Sequence, residues 1–341
     1  MSQSRIALDV MGGDQAPDAV LGGALAACGR GEEGAGARND APLAPERIVL
    51  VGDEPTIRGY LEKHGGDPGF AVRHASQVID MGESPATALR AKPDSSISSC
   101  VGAVKQGEAG AVVSMGNTGA CVGAATLGLG TLEGVRRPGI AVTLELTGRP
   151  LTLLDMGANI APKPDHLVQY GAMGAVYMRD CLGVEEPRIG LLNVGEEKGK
   201  GTDLLKQAFQ GLESCGESFV GNVESGDLFR GACDVVVTDG FTGNVVLKLL
   251  ENFASFLFGL VLKEIDSHGE GEWGRRTLAK VGRAIDYSTY GGALLLGVDG
   301  VTVIGHGRSD AKAVANALVQ AARALDARVN EHIVQGLRKP D

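Results

Sequence analysis

One pattern recurs along this chain and restricts the folds open to it. A short apolar, β-branched run ends in a loop rich in Gly, Asp and Asn, and a helical pattern follows. Arg5–Val10 leads into Met11-Gly12-Gly13-Asp14 and a helix through Ala27. Arg47–Val51 leads into Gly52-Asp53 and a helix to about His64. The order recurs at Ala111–Met115, Leu151–Asp155, Arg188–Val194, Asp234–Thr238 and Val301–Gly305, the last followed by an Ala-rich helix to about Val329. The runs are apolar on both faces, as strands covered on both sides are. Such alternation predicts an α/β fold: a mostly parallel sheet with helices on both faces and right-handed crossovers. At 341 residues the chain exceeds what one core serves efficiently, so two lobes are expected, with a boundary near 100–150.

Glycine accounts for 52 residues, roughly twice the ordinary ~7%. The net charge of −10 argues against nucleic acid as the main partner. The amino terminus shows no basic segment followed by an apolar stretch, and no apolar run reaches the ~18–20 residues of a membrane span. The six cysteines form no C-x-x-C pair and no cluster with histidine. They read as reduced thiols of a cytosolic protein, with neither a disulfide framework nor a zinc site. A Walker loop is missing, although Gly195–Thr202 approaches one. G-x-G-x-x-G after a strand, G-x-S-x-G and H-E-x-x-H are missing too, so a covalent Ser or Cys nucleophile has no visible setting.

In open parallel sheets ligands bind outside the carboxyl ends of the strands. Glycine-rich loops that open directly into helix amino termini there make oxyanion or phosphate sites. Asp155-Met156-Gly157-Ala158-Asn159 with Lys163-Pro164 fits such a site, or a helix cap with proline in the first turn. In Asp239–Asn244, Asn244 either caps the next helix or donates to an oxyanion. Lys198 and Lys200 are either a solvated charge run or a mobile lysine closing over an anionic substrate. Gly29–Pro45 reads as a low-complexity surface loop. The long apolar helix Val245–Ile265 is followed by a polar break and the basic residues Arg275, Arg276, Lys280 and Arg283, so 245–285 forms one distinct segment.

Several stretches together resemble the bacterial phosphate acyltransferases of phospholipid synthesis: residues 6–17 (IALDVMGGDQAP), 114–120 (SMGNTGA), 153–177, 190–197 (GLLNVGEE), 219–224, 234–248 (DVVVTDGFTGNVVLK), 286–297 and 306–313 (HGRSDAKA). They follow the family's order over nearly the whole chain. Departures include Val10 and Met115 where alanine is usual, and KGKG where a Lys-Lys-Gly run is common, which favours Lys200 over Lys198. Gly29–Pro45 is an insertion. The resemblance implies a two-lobed fold akin to the isocitrate and isopropylmalate dehydrogenases and to phosphotransacetylases. It implies a homodimer that moves an acyl group from acyl-acyl-carrier protein to inorganic phosphate. The acyl phosphate would feed a membrane glycerol-3-phosphate acyltransferase, and the enzyme would sit peripherally on the inner face of the cell membrane.

Phosphate is anionic at neutral pH and a thiolate is a fair leaving group, so the reaction needs positioning and oxyanion stabilisation, not an enzyme nucleophile. The expected catalytic residues are Lys200 and Asn244. Gly12, Gly13, Asp14, Asn117, Thr118, Asp155, Asn159, Lys163, Asp239, Thr242 and His306 are expected to bind or position substrate. No cofactor or metal is expected. Arg275, Arg276, Lys280 and Arg283, with Arg136 and Arg137, form the expected carrier-protein dock. Most of Val245–Ile265 is expected to be core, with a flank near Phe253–Leu262 able to reach lipid. The rival readings are a nicotinamide-dependent decarboxylating dehydrogenase, an acetyl-coenzyme A:phosphate transferase and a non-catalytic scaffold.

Overall fold

The computed structural model describes residues 4–30, 41–146, 148–215, 218–267, 271, 274–276 and 291–338. Lys280, Arg283 and the middle of the Gly29–Pro45 insertion lie outside them. The described residues form two compact units. One holds those up to Pro138 and those from Gly291 onward; the other holds Gly139 to Arg276.

The first unit carries β1 (Ile6–Asp9), β2 (Ile48–Gly52), β3 (Ala71–His74), β4 (Ala111–Ser114), β10 (Ala293–Leu296) and β11 (Val301–Ile304), ordered β3-β2-β1-β4-β11-β10. All neighbours are parallel except β10 and β11. β1, β2, β4 and β11 are fully buried, which is why their sequences are apolar on both faces. The helices are α1 (Asp18–Ala27), α2 (Glu54–Lys63), α3 (Pro85–Ala91), α4 (Ser96–Lys105), α5 (Thr118–Gly128), α9 (Ala311–Asp326) and α10 (Val329–Leu337). Asp53, Asn117 and Asp310 cap α2, α5 and α9 by accepting a backbone N–H three residues on. The Ala-rich helix expected to reach Val329 stops at Asp326, because Arg328 turns left-handed at φ 52° and α10 begins. The chain leaves β1 toward β2 and β3, then returns to place β4 on β1's other side. The loops after β1 and β4 therefore flank a topological switch point.

The second unit carries β5 (Gly139–Leu146), β6 (Arg149–Leu154), β7 (Ile189–Leu192), β8 (Phe219–Val223) and β9 (Val235–Val237), ordered β5-β6-β9-β7-β8. Only β5 and β6 are antiparallel. Its helices are α6 (Pro164–Leu182), α7 (Asp203–Glu213) and α8 (Gly240–Ser267). β9 inserts between β6 and β7, so three strand ends meet side by side. The entry to β9 is held by buried Asp234, which accepts from Arg188 Nε (2.9 Å), Nη2 (3.0 Å) and backbone N (3.0 Å).

Two expectations about α8 need correction. Within α8 none of residues 244–265 is buried, so the helix is not core. Gly240–Ile265 is also long and apolar enough to cross a membrane by length and composition; Lys248, Glu251, Lys263 and Glu264 interrupt the apolar run without lowering its average below that level. Leu247, Glu251, Ala254, Phe258, Leu262 and Ile265 make a half-covered stripe at helical spacing. Phe241, Val245, Leu249, Phe253, Phe256, Leu257, Leu260 and Val261 are exposed.

Burial acts to raise the Asp234 pKa, but Arg188's hydrogen bonds and charge outweigh it and hold the carboxyl below the usual range. The resulting stabilisation is complete above the unfolded value of ~3.9 and is lost as pH falls through the folded value. Asp234→Asn should therefore unfold in urea with about 2–4 kcal/mol less stability at pH 7. The two proteins should converge at strongly acidic pH.

Candidate functional site

In the first unit three loops lock together at the carboxyl ends of β1, β4 and β11. Asp14 N donates to Gly307 O (2.7 Å), tying the Gly12-Gly13-Asp14 loop to the loop after β11. A Cβ on Gly12 would lie 2.9 Å from Gly116 N, so the loops after β1 and β4 touch through their backbones. Gly13 adopts φ 108°, a conformation that favours glycine. Asn117 Oδ1 accepts from Ala120 N (3.0 Å), and its Nδ2 donates to Met81 O and Glu83 O (both 3.0 Å). Its carboxamide is thereby fully engaged, and what the residue leaves open is its backbone. Among the described residues the N–H groups of Gly13, Asn117, Thr118 and Gly119 find no acceptor. Thr118 is exposed at the start of α5, where the helix dipole favours an anion. His306 is half-buried, and its Nδ1 accepts from Arg308 N (3.1 Å), which turns the loop after β11.

A serine and an aspartate beneath these loops escaped sequence reasoning. Asp9 closes β1 with a buried side chain. It accepts from Ser114 Oγ (2.6 Å) and Met11 N (3.3 Å). Ser114 Oγ in turn accepts from Gly116 N (3.0 Å). Burial pushes the Asp9 carboxyl up, against the pull of those hydrogen bonds. The signal was present, since Asp9 breaks an apolar strand at its last residue.

The second unit repeats the device. Asp155, fully buried after β6, accepts from Ile140 N (2.9 Å), Gly157 N (3.1 Å), Ala158 N (2.9 Å) and Asn159 N (2.7 Å). Burial raises its pKa while these four donors pull it down, and burial prevails. Asn159 Nδ2 donates to Tyr170 Oη (2.8 Å), and Asn159 O accepts from Gly240 N (2.9 Å), joining the loops after β6 and β9. Gly243 packs on the Asp155 carbonyl so closely that a Cβ there would overlap it. Asp239 caps α8 by accepting from Thr242 N (2.9 Å) and Thr242 Oγ1 (2.7 Å). Asn244 is exposed on α8, with its Cβ 3.6 Å from a Cβ built on Gly157, and its carboxamide makes no hydrogen bond among the described residues. Asp239 is thus the cap, and Asn244 retains its donor. Lys163 takes the cap position of α6, its N–H donating to His166 Nδ1 (3.2 Å) before Pro164, with an exposed side chain.

The lysine loop after β7 is pinned by two asparagines that sequence reasoning also missed. Asn193 Nδ2 donates to Lys200 O (3.2 Å) and Asn222 Oδ1 (3.1 Å), and Asn222 Nδ2 donates to Glu197 O (2.9 Å). Lys198 pairs with Glu213 and lies over the Phe209 ring. Lys200 Nζ is exposed, and its Glu197 partner is 3.8 Å away. The loop is therefore braced at both ends, and Lys200 is its less committed cation. Arg136, Arg137, Arg275 and Arg276 are exposed. Cys121 follows Asn117 by four residues, but burial pushes its thiol up to about 12, and that of Cys233 likewise to about 12. No group of three or more metal-ligating side chains occurs among the described residues.

The profile of a family described as "Fatty acid synthesis protein" matches residues 4–332. The phosphate acyltransferase of Thermosynechococcus vestitus is 43% identical over 340 residues, covering 98% of this chain and 95% of that one. That of Shouchella clausii is 42% identical, covering 98% of each. This chain belongs to the phosphate acyltransferase family. Its fold is shared by a phosphotransacetylase from Streptococcus pyogenes (TM-score 0.63, 15% identity, 96% and 95% coverage). A branched-chain phosphotransacylase from Enterococcus faecalis shares it as well (TM-score 0.57, 17% identity, 94% and 99% coverage).

Asp155→Asn keeps the shape of the carboxylate but aims an NH2 group at backbone donors. Loss of these acceptor sites should cost about 1–3 kcal/mol in urea unfolding.

Proposed function

We propose that the protein transfers a long-chain acyl group from acyl-acyl-carrier protein to inorganic phosphate. A phosphate oxygen attacks the thioester carbonyl carbon, the C–S bond breaks, and the carrier thiolate leaves and takes up a proton. The products are acyl phosphate and free carrier protein. The observation that carries this reading is the group of acceptor-free N–H donors at Gly13, Asn117, Thr118 and Gly119. They offer an oxyanion several hydrogen bonds at a helix amino terminus. The Cys121 thiol beside them, pushed up to about 12, is no nucleophile at neutral pH, which favours direct attack by phosphate.

In the first unit, Gly12 and Gly13 shape the phosphate loop, Asn117 and Thr118 bind through their backbone, and Asp14 and His306 hold the neighbouring loops. Within the second unit, Asn244 supplies an oxyanion donor and Lys200 a positive charge. Asp155, Asn159, Asp239 and Thr242 hold Asn244 in place, and Lys163 adds positive charge. The acidic carrier protein docks on the exposed Arg275 and Arg276.

Purified protein should release carrier thiol from palmitoyl-carrier protein only when phosphate is present, with acyl phosphate trapped as hydroxamate. Lys200→Ala and Asn244→Ala should each lower turnover about 10²–10³-fold. Near-normal turnover in a folded variant removes that residue from the mechanism. Reversing the charge of Arg275 and Arg276 should raise KM for the carrier-bound substrate; a change in turnover alone would refute the dock.

We read the enzyme as a cytoplasmic homodimer that passes acyl phosphate to a glycerol-3-phosphate acyltransferase, and the exposed apolar face of α8 supports its peripheral seating on the membrane. Leu257→Glu places a charge on that face. The folded variant should lose flotation with anionic liposomes, and undiminished flotation would exclude contact there.

A further inference from the structure

We propose that Asp9 is a positioning residue for phosphate: with Ser114 it sets the spacing of the two loops whose N–H groups receive the anion. The inference rests on the reading that the loops after β1 and β4 hold phosphate. Three observations carry it. First, β1 and β4 pair in register so that Asp9 lies opposite Ser114 at the last residue of each strand. Both side chains are buried and joined at 2.6 Å. Second, each reaches its own loop: Asp9 accepts from Met11 N, and Ser114 Oγ accepts from Gly116 N. One carboxylate–hydroxyl pair thus fastens both loops from beneath. Third, the fit leaves no slack. A Cβ on Gly12 would come 2.5 Å from Asp9 Oδ2 and 2.9 Å from Gly116 N, so Gly12 is closed in by the carboxylate and the opposite loop.

The arrangement divides the donors between two tasks. Met11 and Gly116 give their N–H groups to the Asp9–Ser114 pair, while Gly13, Asn117, Thr118 and Gly119 keep theirs for an anion. An apolar side chain at position 9 would take away the acceptor of Met11 N and of the Ser114 hydroxyl, and these would be satisfied only by a shift of the loops. That shift would move the outward donors too. A displacement of ~1 Å in a positioning element can cost about 10²-fold.

The test is steady-state kinetics of the full-length protein with palmitoyl-carrier protein and inorganic phosphate, each varied at saturating levels of the other. Asp9→Ala should raise KM for phosphate about tenfold or more, with KM for the acyl donor unchanged. Asp9→Asn keeps one acceptor for the loop N–H groups and should restore part of the loss. Ser114→Ala, which removes a single hydroxyl, should raise KM for phosphate in the same selective way and serves if Asp9→Ala fails to fold. Equal changes in both KM values, or a fall in kcat alone matching the folded fraction, would overturn the role. Asn117→Gly frees α5 from its side-chain cap and tests the underlying reading. If it raises KM for phosphate while the Asp9 and Ser114 variants do not, the Asp9 inference fails alone. If none of them does, the phosphate loops lie elsewhere and both readings fall.

Discussion

A buried carboxylate at the end of a central strand organises the loops of each unit. In an open parallel sheet the strand ends leave backbone N–H groups without a ladder partner, in loops too short to fold back on themselves. Water could satisfy them, but only by loosening the loops. Asp9 and Asp155 satisfy them from inside. Asp155 takes four N–H groups from residues 140, 157, 158 and 159, and Asp9 draws on its own loop and, through Ser114, on the next. The cost is desolvation of a carboxyl, visible as the raised pKa of both residues. The return is a rigid loop edge whose remaining donors point away from the core.

Glycine works with these carboxylates by permitting close approach. Gly12 lies between Asp9 and Gly116, Gly240 between Asp155 and Asn159, and Gly243 against the Asp155 carbonyl. At each position any side chain would force apart two backbones that the hydrogen bonds draw together. These three glycines therefore each have a steric reason, and the loops they join are held close with little room to reorganise.

α8 is governed by a different balance. It begins inside the second unit, where Gly240 and Gly243 are buried, and then runs on with a broad apolar face exposed. Its amino-terminal cap, Asp239 with Thr242, is neighbour to the loop that Asp155 organises. The same helix thus carries Asn244 in its first turn and an exposed apolar face farther along.

Much of this was legible in the sequence. Doubly apolar runs followed by glycine loops and helices read as buried strands of a mostly parallel sheet, so β1, β2, β4, β6, β7, β9 and β11 were all predictable, and the loops holding Gly12, Asn117, Asp155 and Asp239 followed from them. β3, β5, β8 and β10 were not. β3 is a half-exposed edge strand with polar residues, β5 and β10 each pair antiparallel with the next strand, so no helix follows them, and β8 contains Gly221 and Asn222. Composition could not tell an apolar helix in a core from one on a surface, because both are written with the same residues; only packing decided that α8 is exposed. Nor could it reveal that Asp9 faces Ser114 or that Asn193 meets Asn222, since these pairs arise from strand register between segments 105 and 29 residues apart. Local chemistry determined which segments fold and where their loops fall. Which donors those loops keep free was decided by contacts that exist only once the sheet has closed.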